Sequence, residues 1–325
     1  MTPVPDRGVK VALDQRPELA QVIARVPGWA ERDIAEVSEM AGLTNRNYLV
    51  TVGVERYVVR VSRDNARYLG IDREGELAAL RKAEACGIGA EVVDYLLPEG
   101  HLVTRLIDGR SWTLQEYATR DALATIIETV KRVHGLSPMA RSFSPWRRIG
   151  SYAVTAKARG VAFPDDFDEL LAKAEAIRGD QVRDAEAWRG FCHNDLYSVN
   201  LLDDGNVRVI DWEFAGMGDV YFDLATMAYA YDEASLSPEL EAFLLEDYFG
   251  SATPWRRLRL EGMKAMLLFF TAMWGLLQEG LVLDGTLPRI ELFDYYAYAQ
   301  TTFGMLREQM GMVSEARDRA GRPGG

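Results

Sequence analysis

The tetrapeptide Asp203-Asp-Gly-Asn206 stands between two short apolar runs, Asn200-Leu-Leu202 and Val207-Arg-Val-Ile-Asp211. Asp-Gly flanked by alternating apolar residues is a strong hairpin signal. It interrupts a region that otherwise reads as helix from Leu114 onward, so it pins one β-hairpin inside a helical portion of the chain. If Leu202 pairs with Val207, Asn200 stands opposite Val209, and Asp211 is the next residue on that face, roughly 7–8 Å away on the diagonal. A three-residue loop shifts the register by one and turns Asp211 to the other face.

Directly upstream lies Phe191-Cys-His-Asn-Asp195-Leu-Tyr-Ser-Val-Asn200. His193, Asp195 and Asn200 match the spacing H-x-D-x-x-x-x-N, in which the Asp accepts the proton of an attacking hydroxyl and the Asn ligates magnesium. Asp211 adds a second carboxylate to that metal set. Asp and Asn five residues apart also occur by chance, and the hairpin context is what favours the chemical reading.

Composition narrows the classes. The 325 residues are 48% hydrophobic, enough to bury the core of two modest domains or of one domain with two lobes. A net charge of -12 argues against nonspecific affinity for nucleic acid or an anionic membrane, since both need basic patches. Residues 41–110 hold equal numbers of acids and bases, whereas residues 211–300 hold ten more acids than bases. An anionic nucleotide suits the first region and a cationic substrate the second, although a solvated acidic surface explains the excess equally well. Cys86 and Cys192 are too few for a disulfide framework and fit a reducing compartment. The N-terminus lacks the apolar stretch of a signal peptide, and the run Ala265–Leu277 is too short to span a bilayer. A cytoplasmic protein is expected.

The first third reads as an antiparallel meander, with segments at Ala35–Met40, Asn47–Val52 and Tyr57–Val61 joined by glycine-containing turns. A helix capped by Asp72 follows and stops at Cys86-Gly87, and two more strands lie near Glu91–Leu97 and His101–Ile107. Arg60 closes a strand where a phosphate-binding cation is expected, and Glu76, one helix later, is its natural ion-pair partner. The turn Ala41-Gly-Leu-Thr-Asn45 offers backbone amides and the Thr44 hydroxyl to phosphates. Ile107 stands where a hinge presents its backbone to a nucleobase, and it reads equally as a core residue.

With these residues in place the chain resembles the choline kinase and aminoglycoside phosphotransferase family. The resemblance runs from about Glu36 to about Ala299 and is carried by Gly42-Leu-Thr-Asn-Arg-Asn47, Tyr57-Val-Val-Arg60, Ile71-Asp-Arg-Glu-Gly-Glu76, Phe191-Cys-His-Asn-Asp195 and Ile210-Asp-Trp-Glu-Phe214. His-Asn-Asp, Asp-Trp-Glu and Arg60 lean toward the choline kinase branch. The resemblance implies an α+β, bilobal protein-kinase-like fold: a small antiparallel sheet lobe with one main helix over 1–107 and a larger helical lobe over 108–313. The polar, glycine-rich stretch 314–325 reads as a disordered tail.

It also implies ATP and Mg2+ as cofactors, Asp195 as base, Asn200 and Asp211 as metal ligands, and Thr44, Asn45, Arg60, Glu76 and Ile107 on the nucleotide side. His193 orients the loop, and Asp219 and Asp223 brace it. For the acceptor, a small amino alcohol such as choline or ethanolamine, the resemblance points to Glu213, Trp274 and Tyr295. Leu277, Phe214 and Ala228-Tyr-Ala-Tyr231 depart from the choline-binding pattern of eukaryotic relatives, which leaves ethanolamine, another amino alcohol or an aminoglycoside as alternatives. A nucleotide-binding pseudokinase is the rival from another class. The oligomeric state stays open, a dimer included.

Overall fold

A computed structural model describes residues 9–29, 34–40, 45–183, 189–229, 235–290 and 293–321. In chain order its elements are β1 (Val9–Lys10), α1 (Pro17–Arg25), β2 (Ile34–Met40), β3 (Arg46–Val52), β4 (Glu55–Val61), α2 (Ala66–Leu69), α3 (Arg73–Ala85), β5 (Val92–Leu96), β6 (His101–Arg105) and β7 (Arg110–Ser111). Then come α4 (Leu114–Tyr117), α5 (Arg120–His134), α6 (Pro145–Lys157), α7 (Phe167–Arg183), β8 (Arg189–Cys192), β9 (Leu201–Asp203), β10 (Val207–Val209) and β11 (Gly216–Asp219). The last four helices are α8 (Val220–Ala228), α9 (Pro238–Phe249), α10 (Pro254–Leu283) and α11 (Tyr295–Ala320).

The chain forms two compact units. The first, Met1–Arg67 with Ile71–Thr113 and Ser198–Glu213, is built on a six-stranded sheet in the order β1-β2-β3-β4-β6-β5. Every pairing in that sheet is antiparallel. Strand alternation sets its core, because Tyr57, Val59 and Val61 of β4 and Tyr48, Val50 and Val52 of β3 cluster with Leu19, Val22 and Ile23 of α1. Asp72 occupies the N-cap of α3 as expected but makes no side-chain capping bond.

The hairpin belongs to this first unit, not to the helical region that surrounds it in sequence. Its register departs from the expected one: Asp203 pairs with Val207, Leu202 with Arg208 and Leu201 with Val209. The loop therefore has three residues, with Gly205 at φ +93°, a conformation that glycine adopts without a side-chain clash. β7 adds a third strand alongside β9.

The second unit, Tyr68–Gly70 with Leu114–Tyr197 and Phe214–Gly325, is mostly helical. Its axis is α10, capped by the Thr253 side chain and started by Pro254, with buried residues on all sides from Leu258 to Leu281. By length and composition α10 suffices to cross a bilayer, which the shorter apolar run had argued against, but 78% of its most apolar window is buried within the protein. The tail expectation needs correction over residues 314–320, whereas residues 322–325 lie outside the described residues. Helix α11 continues through Ala320, because Val313 and Ala316 are buried and Arg317 pairs with Asp180 at 2.5 Å.

Candidate active site

In the first unit Arg60 lies on β4, between β3 and β6, where alternation turns it onto the face opposite Val59. Only 7% of its side chain is exposed, and a guanidinium so placed needs compensation. Glu76 of α3 supplies it, with Oε1 2.6 Å from Arg60 Nη1. Arg60 Nη2 donates to the Gly100 carbonyl at 3.0 Å. The other Glu76 oxygen accepts from Arg73 Nη1 at 2.7 Å and from the Tyr95 hydroxyl at 2.6 Å.

Burial alone lowers the pKa of Arg60, but Glu76 and Glu213 overcome this and drive it up. Burial alone raises that of Glu76, and Arg60 with Arg73 reverses it, so the carboxylate stays ionised. The pair predicted from order along the chain is thus assembled. Arg73 and Tyr95 were not anticipated, although Arg73, three residues before Glu76 on the same helix, was legible as its neighbour.

Glu213 requires a correction. It was assigned to the acceptor, yet it is buried with 2% exposure among the cations, accepting from Asn45 Nδ2 at 3.2 Å and Arg73 Nη1 at 3.4 Å and lying 3.8 Å from Arg60 Nη1. A buried carboxylate is stable only beside such partners. Asn45 accordingly holds Glu213. Thr44 lies outside the described residues, and Ile107 is half-buried just beyond β6.

Asp211 has φ +66°, a left-handed conformation that Asp tolerates better than most residues. With Ile210 N–H bonded to the Asn200 carbonyl at 3.0 Å, this kink removes Asp211 from the strand alternation that the shifted register would otherwise impose. Its Oδ1 lies 3.8 Å from Arg60 Nη1, is buried and accepts no hydrogen bond. Burial pushes the Asp211 carboxyl up to about 7, Glu213 adds to this, and Arg60 opposes it. A carboxylate oxygen with unused lone pairs, on the same segment as the Asn200 amide, is the hard oxygen donor set that suits Mg2+.

In the second unit β8 delivers the loop that carries Asp195. Asp223 of α8 accepts from the backbone N–H groups of His193 at 2.8 Å and Asn194 at 2.6 Å, which establishes the bracing role expected of it. Asn194 has φ +64°, and its Nδ2 donates to the carbonyls of Cys192 and Phe214. Asp223 is itself held by His134 Nε2 at 3.0 Å, and His134 Nδ1 meets the Tyr248 hydroxyl at 2.6 Å. Asp219 caps α8 and pairs with Arg259 at 2.7 Å. Asp195 is half-exposed, and its carbonyl accepts from Tyr197 N–H at 2.9 Å.

Trp274 is half-buried, with ring contacts to Tyr295 at 5.5 Å and Tyr298 at 6.1 Å. Tyr295 is only 1% exposed, so it backs Trp274 as core and presents no face to a ligand, contrary to its assignment.

A sheet unit that fastens a buried arginine to a helix glutamate, and a mostly helical unit that braces a loop carrying an aspartate, define an α+β fold of the kinase-like class. The chain belongs to the phosphotransferase enzyme family, whose model matches residues 36–260. Protein LicA of Haemophilus influenzae is 28% identical over 233 residues, covering 69% of this chain and 66% of that protein. The chain thus spans just under two thirds of that relative's length. A choline/ethanolamine kinase family protein from Mesorhizobium loti has the same fold, with a TM-score of 0.75 at 24% identity over 94% of this chain and 98% of the other. So does choline kinase LicA from Streptococcus pneumoniae, with a TM-score of 0.74 at 17% identity over 92% and 99%.

Proposed function

We propose that the protein moves the γ-phosphate of ATP to the hydroxyl of a small amino alcohol of the choline and ethanolamine type. The observation that carries this reading is the buried Arg60–Glu76 pair with Asp211 3.8 Å from the same guanidinium nitrogen, because it joins a fixed phosphate-binding cation to a carboxylate with unused lone pairs. The names of two structural relatives, a choline/ethanolamine kinase family protein and a choline kinase, support the choice of acceptor.

In this reading Asp195, which keeps part of its surface in solvent, draws the proton from the acceptor hydroxyl. Asp223 keeps the loop rigid, so little reorganisation accompanies the reaction. Arg60 offsets charge on the phosphates, and Glu76 and Gly100 hold its fork in one orientation. Asn200 and Asp211 would hold Mg2+, which supplies charge neutralisation on the phosphate oxygens. Residues 1–107 serve the nucleotide together with the hairpin, and the helical part serves the acceptor, in a cytoplasmic setting that suits two free cysteines.

ADP release measured over a panel of choline, ethanolamine and aminoglycosides tests the proposal. Turnover confined to aminoglycosides, or nucleotide binding with no turnover at all, refutes it.

A further inference from the structure

Arg73 is the first residue of α3, and only 8% of its side chain is exposed. The side chain packs against the turn between β5 and β6, where a Cβ on Gly100 would strike its Cδ and Nε. Only one of its nitrogens is committed. Nη1 donates to Glu76 Oε2 at 2.7 Å and to Glu213 Oε2 at 3.4 Å, whereas Nε and Nη2 lie buried with no hydrogen-bond partner among the described residues. A guanidinium buried for stability alone satisfies its whole fork, because each unmet donor costs free energy. This one is held in place for what a single nitrogen reaches.

What it reaches is the carboxylate that competes for Arg60. Glu213 Oε2 and Asp211 Oδ1 both stand 3.8 Å from Arg60 Nη1, outside hydrogen-bond distance, while Glu76 Oε1 stands at 2.6 Å. Two guanidiniums thus face three carboxylates in one cluster of the first unit. Without Arg73, Glu213 would keep only the Asn45 amide at 3.2 Å, and a buried carboxylate deprived of its nearest cation draws on the next one, Arg60. The Arg60 charge would then be taken up by the protein's own carboxylates and lost to phosphate.

We infer that Arg73 is a positioning residue for the nucleotide phosphates: it neutralises Glu213 and so leaves the charge of Arg60 available to them. Its unmet nitrogens are covered, so it acts through Glu213 and not by touching the nucleotide. This rests on the reading of Arg60 as the phosphate-binding cation, and it adds the residue that controls that cation.

The test is calorimetry on the full chain with two probes, ATP and adenosine, in the same Mg2+ buffer, because only ATP carries the charge that Arg60 answers. Arg73→Met should weaken ATP at least about tenfold and adenosine by less than about twofold, since charges a few ångströms apart interact strongly in a poorly screened interior. Glu213→Gln removes the competing carboxylate at nearly constant volume, so Arg73→Met introduced on that background should weaken ATP by less than about threefold. The second comparison stands even where Arg73→Met alone does not fold, because the double variant removes one charge of each sign. Equal weakening of ATP and adenosine by Arg73→Met, an unchanged ATP affinity, or a loss above about threefold on the Glu213→Gln background overturns the inference. An unaltered protein that binds ATP no more tightly than adenosine removes the reading of Arg60 itself, and this inference with it.

Discussion

Replacing Glu76 by glutamine deletes one negative charge at nearly constant volume from a site with 0% exposure. Two guanidiniums and a phenol converge on that carboxylate, Arg60 at 2.6 Å, Arg73 at 2.7 Å and Tyr95 at 2.6 Å, and the glutamine amide cannot compensate either cation. The remaining carboxylates are more distant: Glu213 is 3.4 Å from Arg73 and 3.8 Å from Arg60, and Asp211 is 3.8 Å from Arg60. Breaking a buried ion pair from one side costs about 3–5 kcal/mol, because an uncompensated charge stays behind. At a few degrees of Tm per kcal/mol in chains of this size, Tm should fall by about 10 °C.

Linkage supplies a second readout. Glu76 is held below its unfolded value of 4.5, so its contribution is present above that pH and is lost as pH falls through the lower folded value. Unfolding by urea, followed for the natural protein and Glu76→Gln from pH 7 down to pH 3, should show a stability gap that is widest at neutral pH and closes on acidification. A gap below about 1 kcal/mol at pH 7, or one independent of pH, refutes the claim that Glu76 is the charge around which this cluster is assembled.

Asp195→Asn should lower turnover by roughly 100-fold to 10,000-fold while nucleotide affinity, measured by calorimetry, stays within twofold. Asp223→Ala leaves two buried N–H donors of the catalytic loop without an acceptor, so kcat should drop by at least about tenfold with a smaller change in KM, seen in steady-state kinetics. Gly100→Ala adds a Cβ that meets Arg73 Cδ at 2.3 Å, at a residue with φ +80°. It should destabilise the fold by at least about 1–2 kcal/mol in urea titrations and weaken nucleotide binding as Arg73 is displaced. Because burial pushes the Asp211 carboxyl up to about 7, divalent-ion affinity should rise with pH and level off above that value, and Asp211→Asn should flatten the profile in a calorimetric titration with Mg2+.

Much of this was legible in the residue order. Strand alternation exposed the meander and hence Arg60, helix punctuation exposed α3 and hence Glu76, and the spacing from His193 to Asp211 pointed to the chemistry proposed above. Local rules carried those inferences, since each depends on residues a few positions apart. Glu213 and Tyr295 were misassigned for the opposite reason. A glutamate two residues after Asp211 and a tyrosine on an apolar helix have no direction in a sequence, and only packing revealed that one turns to Arg73 and the other into the core.

The hairpin at Asn200–Asp211 marks the boundary between the two kinds of knowledge. Its sequence determined that a turn forms and which polar residues flank it, because Asp-Gly and the apolar runs act locally. The three-residue loop, the pairing of Leu202 with Arg208 and the positive φ of Asp211 came from tertiary structure. Competing registers differ little in local energy. What separates them is long-range: β7 laid along β9, Ile88 accepting from Val209 N–H at 2.9 Å, and Arg60 waiting 3.8 Å from the carboxylate that the kink delivers.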